Sequence, residues 1–326
     1  MIGLLVWLCT YKCNLNCRHC YVKGRSVNEI NTKTAIKMIK EIAEVNPRHF
    51  SITGGEPLIR RDIFTLLREA RDYNLNTSIV TNGFHINRDV AEKLYQLEVY
   101  VYLSMDAGRK ETCNLIRGIG AWSKIMEAAK TLRERGIEFS TIMTVMPENY
   151  HETKSFIEKS IEIGAEHSAL IPIIPSGNAK NKILDPMKIV EAYSSAEAAA
   201  EDYGYYISFW CSPFLRYFRK SKYVYIGKCS DNALDIDPAG NTLVCDVLEI
   251  KTSNVIDKGL LTAIREHFNH PIILELKDPS NLKGKCATCK YKSECGGGCK
   301  ARAYLIYGDF NLPDPCCPLG QAPHKL

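Results

Sequence analysis

No run of apolar residues in this chain comes near the roughly 18 that a membrane-spanning helix needs. The nearest candidate, Ile2 to Leu8, stops after seven residues and has no basic segment ahead of it. It lacks the layout of a secretion signal and reads as a buried strand. A strong excess of charge is missing too. The 42 basic and 37 acidic side chains leave a formal net charge of +5, too little to indicate a nucleic-acid partner. These absences point to a cytoplasmic protein with neither membrane nor nucleic acid among its partners. An apolar share of 45% over 326 residues suffices for one large domain and a smaller one.

Cysteine, by contrast, is abundant, with 14 in the chain. Without an export signal the thiols stay reduced, so this number argues for metal or cluster binding over disulfides. Eight of the 14 lie between Cys229 and Cys317. Three more, Cys13, Cys17 and Cys20, share one short loop with C-x3-C-x2-C spacing. Such a loop can hold three corners of a four-iron cluster and leave the fourth iron open to a small molecule. Half of a zinc site is the plainer alternative.

Apolar periodicity predicts strands over 4–10, 50–53, 77–81, 99–104, 138–145 and 168–173. Helices are predicted between them over 32–44, 62–73, 87–97, 122–135 and 152–163, the first capped by Asn31. This alternation implies an α/β fold with a parallel sheet, in which ligands sit at the C-terminal ends of strands. The pattern breaks between Pro175 and Cys211, where one alanine-rich helix spans 185–202. A loop-rich remainder follows, with a hairpin over 234–245.

The polar motifs fall at those strand ends. Gly54-Gly55-Glu56-Pro57 follows the second strand, where glycines admit a close ligand, the carboxylate can pair with an ammonium and the proline stiffens the turn. Asn82 follows the third strand, and Ser104 and Asp106 the fourth. Arg117 could grip a carboxylate through two parallel hydrogen bonds. Further on come Cys229, Gly240 and Cys245, then Cys286-x2-Cys289-x5-Cys295-x3-Cys299 and the pair Cys316-Cys317. A zinc ribbon would account for 286–299 but not for Cys229 and Cys245. The aromatic and basic run 209–220 reads either as the floor of a cleft or as core on one face with solvated charge on the other.

The three-cysteine loop followed by Gly-Gly-Glu-Pro resembles the signature of radical S-adenosylmethionine enzymes, and the later cysteines resemble the SPASM extension. The resemblance implies a partial (β/α)6 TIM-type barrel over 1–180, a linker with a bridging helix over 181–228, and a small α+β iron–sulfur domain over 229–326. It implies that Cys13, Cys17 and Cys20 hold a [4Fe-4S] cluster that cleaves S-adenosylmethionine reductively. His19, Gly54, Gly55, Glu56, Pro57, Asn82, Ser104, Asp106 and Arg117 would contact that cofactor. One or two auxiliary [4Fe-4S] or [2Fe-2S] clusters are implied. Cys229, Cys245 and Cys299 serve the first, with Cys211 as its fourth ligand or that site open. Cys286, Cys289, Cys295 and Cys317, preferred to Cys316, serve the second.

Cys113 and Asp106 are the candidate catalytic groups, the thiol as a hydrogen donor to a substrate radical. Relatives crosslink or oxidise peptide or protein side chains, so a peptide is the leading substrate, and a ferredoxin or flavodoxin would be the electron donor. The chain starts close to its first strand, so either a separate leader-recognition protein or a small substrate is expected. Cys299 to Tyr304, with Gly308-Asp309 and Asp314-Pro315, is also similar to SPASM proteins of alternative haem synthesis, which act on tetrapyrrole side chains. A non-catalytic electron-transfer or zinc-binding protein is the third reading.

Overall fold

The structure is a computed structural model that describes residues 2–227 and 232–320. Six parallel strands form its centre: β1 (Leu4–Thr10), β2 (His49–Gly54), β3 (Thr77–Thr81), β4 (Tyr100–Ser104), β5 (Phe139–Val145) and β6 (His167–Pro172). The intervening helices are α1 (Thr32–Val45), α2 (Ile63–Asp72), α3 (Arg88–Gln96), α4 (Lys110–Arg117), α5 (Ala121–Arg135) and α6 (Thr153–Glu162), followed by α7 (Pro186–Tyr203). Sequence signals explain the ends of these elements. Asn31 accepts a hydrogen bond from Thr34 N to start α1, and left-handed Asn46 stops it. Asp185 caps α7 with Pro186 in the first turn.

The core lies between sheet and helices. Leu5 and Trp7 of β1, Phe50 and Ile52 of β2, and Val101 and Leu103 of β4 are fully buried with Ile39 and Ile42 of α1 and Leu66 and Leu67 of α2. Each such side chain contributes about 1.5–3 kcal/mol. Burial of both sheet faces explains why these strands read as continuous apolar runs.

The sheet extends past the predicted six strands on both sides. β7 (Ile207–Phe209) and β8 (Val224–Ile226) continue it in parallel beyond β6. Each has three residues, too few to show a period. On the other side, β9 (Ala233–Ile236) pairs in parallel with β1 from Leu4↔Ala233 to Trp7↔Ile236. β10 (Asn241–Leu243) and β11 (Lys251–Asn254) follow it antiparallel. The predicted hairpin is therefore β9–β10, turned at Asp237, whose carboxylate accepts from Ala239 N and Asn241 N. It belongs to the main sheet. β8 and β11 are the sheet's edges, so the barrel is partial.

Five more helices complete the described chain: α8 (Val255–Lys258), α9 (Leu260–Phe268), α10 (Pro271–Lys277), α11 (Lys292–Cys295) and α12 (Lys300–Tyr307). None of the described helices is long and apolar enough to cross a membrane.

Candidate active site and cysteine centres

The C-terminal ends of β1 to β6 converge on the loop that carries Cys13, Cys17 and Cys20. Gly55 N donates to Thr10 O at 2.7 Å and Glu56 N to Lys12 O at 2.9 Å, so the strand-end turn after β2 is stitched to the start of the loop. A methyl group on Gly54 or Gly55 would overlap the Thr10 and Lys12 carbonyl oxygens. The close approach that these glycines permit is thus to the loop's own backbone. From β3, Asn82 Nδ2 donates to Asn14 Oδ1 at 2.9 Å and reaches Cys13 Sγ at 3.8 Å. Arg18 N donates to Ile116 O of α4 at 2.9 Å. Beyond β6, Asn178 donates through Nδ2 to Cys17 O at 2.8 Å and through its backbone N to Cys20 O at 2.9 Å.

Glu56 is fully buried. Its carboxylate accepts from Thr81 Oγ1 at 2.8 Å, Asn82 N at 2.7 Å and Leu58 N at 3.0 Å. Burial raises its pKa while these donors oppose the rise. Pro57 is buried and opens the short turn Pro57–Ile59.

A charged group lies beside the loop. Arg117 Nε stands 2.6 Å from Asp106 Oδ2, and His19 Nε2 stands 3.5 Å from the same oxygen. The arginine contact is an ion pair off the hydrogen-bond line, since both atoms lack a hydrogen-bond partner. Asp106 Oδ1 accepts from Thr144 N at 2.7 Å. Burial lowers the His19 pKa against the pull of Asp106, and His19 Nδ1 is buried with no hydrogen-bond partner. Ser104 is half-buried at the end of β4. Cys113 is fully buried on α4, and burial pushes its thiol up to about 12.

Burial likewise raises the thiols of Cys13 and Cys17, the latter to about 11. A cluster would have to ionise them, as a bound metal does for its thiol ligands. The residues present fit such a group: three cysteines on one fixed loop, an orphaned imidazole nitrogen, and polar groups at strand ends around it.

In the second region a cavity is lined by Cys286, Cys289, Cys295 and Cys317, with Phe214 and Tyr291 at its wall. Gly297 N and Gly298 N donate to the Cys295 sulfur from residues with positive φ, so these two amides form an anion-favouring nest, while Gly296 N caps α11 on Lys292 O at 2.9 Å. A side chain on Gly298 would overlap Asp314. Cys316 points elsewhere, donating to Leu184 O at 3.4 Å. Sequence reading missed this nest, which three successive glycines between two cysteines could have signalled.

Cys299 lies beside Cys211, whose hydrogen bond lowers the Cys299 thiol to about 7 against burial, with help from Arg302. Cys245 is half-buried, and its thiol donates to Asp246 Oδ1 at 3.5 Å. Cys229 falls outside the described residues. Tetrahedral zinc, with bonds of about 2.3 Å to sulfur, needs thiolates about 3.8 Å apart. Among the described residues the only His, Cys, Asp or Glu trio with ligand atoms all within 4.8 Å of one another is Asp235, Cys245 and Asp246.

The run 209–220 divides its roles, and Phe214 and Tyr217 line the cysteine cavity. Phe209 and Phe214 are core, while Arg216 and Arg219 donate to Ile226 O and Val224 O of β8 at 3.1 and 3.0 Å. A surface depression of about 570 Å³ is lined by Arg71, Asn74, Asn76 and Glu98 at the opposite end of β3 and β4 from the cysteine loop.

Residues 7–159 match the Radical SAM superfamily. The chain is 28% identical, over 96% of its length and 95% of the relative's, to the AdoMet-dependent heme synthase of Methanosarcina barkeri. It is 24% identical, over its full length and 89% of the relative's, to the PqqA peptide cyclase of Granulibacter bethesdensis. The solved structure of Streptococcus suis SuiB bound to its precursor peptide SuiA shares the fold. Its TM-score is 0.80 at 17% identity, covering 98% of this chain and 76% of that one. The chain therefore carries a radical SAM domain over residues 7–159 and is similar along its length to SPASM-type maturases.

Proposed function

We propose that this enzyme modifies a peptide or protein side chain, crosslinking or oxidising it. Cys13, Cys17 and Cys20 hold the cofactor-cleaving four-iron cluster. Cys286, Cys289, Cys295 and Cys317 hold one auxiliary cluster, and Cys229, Cys245, Cys299 and Cys211 another. When bound, the first cluster and S-adenosylmethionine supply a 5′-deoxyadenosyl radical that removes a hydrogen atom from the substrate. Arg117 and Ser104 receive the cofactor carboxylate. Arg117 is buried against Asp106 beside the loop, which fixes its guanidinium on the side of the cluster. His19 offers its unpaired Nδ1. Glu56, filled by three protein donors, fixes the turn after β2 and the start of β3.

The reading assigns residues 1–180 to the barrel, 181–228 to a bridge and 229–326 to the auxiliary-cluster domain. A ferredoxin or flavodoxin supplies electrons, and a separate protein presents the leader of the substrate. The observation that carries the reading is the cavity lined by four cysteines behind a second set of three at the strand ends.

Anaerobic reconstitution tests it. About ten or more irons per chain and reductive formation of 5′-deoxyadenosine are expected. Cys17→Ala abolishes cofactor cleavage and keeps the iron of the second region. Cys289→Ala keeps cleavage and loses substrate turnover. Zinc in place of iron, without cleavage, sinks the proposal.

A second reading is modification of a tetrapyrrole side chain, favoured by the 28% identity to a heme synthase over 96% of this chain. Parallel incubations with peptides encoded beside the gene and with porphyrin precursors separate the two by product mass.

A further inference from the structure

Two small apolar clusters lie between the cysteine loop and the second region. One gathers Leu8, Val22 and Leu243 with Cys20, and the other gathers Val247, Leu248 and Cys299 with Cys245. Among the described residues only Tyr21 packs in both. Its hydroxyl donates to Asp246 Oδ2 at 2.9 Å. Arg25 lies 5.7 Å from the Tyr21 ring and donates to Asp246 O at 2.8 Å and Val247 O at 2.7 Å. Asp246 N donates to Asp235 Oδ2 at 2.8 Å, and ligand atoms of both aspartates lie within 4.8 Å of Cys245 Sγ. Tyr21 follows Cys20 and Asp246 follows Cys245 in sequence, so one hydrogen bond joins the loop of the first cysteine centre to the loop of another.

We infer that Tyr21 is a positioning residue that couples the cofactor-cleaving site to the auxiliary site at Cys245, by holding the Asp246 carboxylate and so setting that site's reduction potential. The inference rests on the reading of Cys20 and Cys245 as cluster ligands. A carboxylate beside a ligating thiolate favours the oxidised cluster, because oxidation makes the cluster less negative. A hydroxyl that donates to the carboxylate draws off part of its charge and raises the potential. Hydrogen bonds and net charge around the sulfurs are levers by which a protein tunes such a centre. Arg25 contributes by clamping the backbone of residues 246 and 247, which limits where the carboxylate can swing.

The test is an anaerobic redox titration followed by electron paramagnetic resonance. It uses the reconstituted full chain in a Cys17→Ala/Cys289→Ala background, so that the Cys245 site supplies the signal. Tyr21→Phe keeps the ring and removes the hydroxyl. It is expected to shift the reduction equilibrium toward the oxidised form by about threefold or more, where tenfold corresponds to 59 mV for a one-electron couple. Asp246→Asn is expected to shift it the opposite way, and in that background Tyr21→Phe should add nothing. A titration unchanged by Tyr21→Phe, or a shift that persists with Asp246→Asn, overturns the inference alone. Absence of iron at the Cys245 site in the Tyr21-containing background overturns the ligand reading and the inference with it.

Discussion

At the residue scale, Gly55 shows how a motif legible in sequence can owe its residue type to a different contact. The pair Gly54-Gly55 was readable as a place for close approach, but its tightest neighbours are the carbonyls of Thr10 and Lys12. Sequence gives no direct view of a contact across 43 positions, so the glycines read as facing a ligand. Gly55→Ala should push the cysteine loop outward. Displacements of about 1 Å can cost a factor of about 100, and a fall of at least that size in 5′-deoxyadenosine formation is expected. Iron in the second region should be retained, as measured by metal analysis. Buried histidines set another expectation. Burial lowers His167 and His267 to about 4 from the usual 6.5. Below pH 6.5 the unfolded chain takes up protons that the folded chain refuses until about pH 4. Stability therefore falls as pH drops through that window, by up to about 2–3 kcal/mol for each histidine. His267→Gln should flatten the pH dependence of urea unfolding between pH 7 and 5.

Elements with a clear period were legible, and those without one were not. The 14 residues of α1 carry buried Ala35, Met38, Ile39 and Ile42 on one face, so both period and cap are visible in sequence. α4 has eight residues, and β7 and β8 have three each. Their apolar positions are too few to distinguish strand, helix and turn. β8 is also an edge, and open carbonyls along an edge invite another chain to pair. Here Arg216 and Arg219 occupy Ile226 O and Val224 O. These two arginines thus cover the carbonyls of that edge. Replacing both arginines with alanine should change stability by about 1–3 kcal/mol, the range of two ordinary hydrogen bonds. It should also raise self-association in sedimentation velocity, with aggregation increasing with protein concentration.

At the scale of the whole molecule, the cysteine spacing was legible because chemistry fixes it, whereas the contacts joining the second region to the barrel run between residues far apart in sequence. The Arg302–Asp314 pair is the clearest case. Both side chains are fully buried and in contact at 2.7 Å. Arg302 donates to Pro172 O at the end of β6 at 3.3 Å and to the carbonyl of Cys211. Asp314 accepts from Cys299 N at 2.7 Å and Cys316 N at 2.9 Å. One ion pair thereby ties the barrel rim to three cysteine-bearing segments. Arg302→Met leaves the Asp314 charge buried and unpaired and should cost about 3–5 kcal/mol in anaerobic denaturant unfolding. Adding Asp314→Asn removes that charge and keeps an acceptor for one of the two amides, Cys299 N or Cys316 N. The double variant should then be more stable than Arg302→Met alone, by about 1 kcal/mol or more. If both variants unfold at the same denaturant concentration, the cost lies in lost packing and the missing Pro172 and Cys211 contacts, and the ion pair is not what fastens the second region to the barrel.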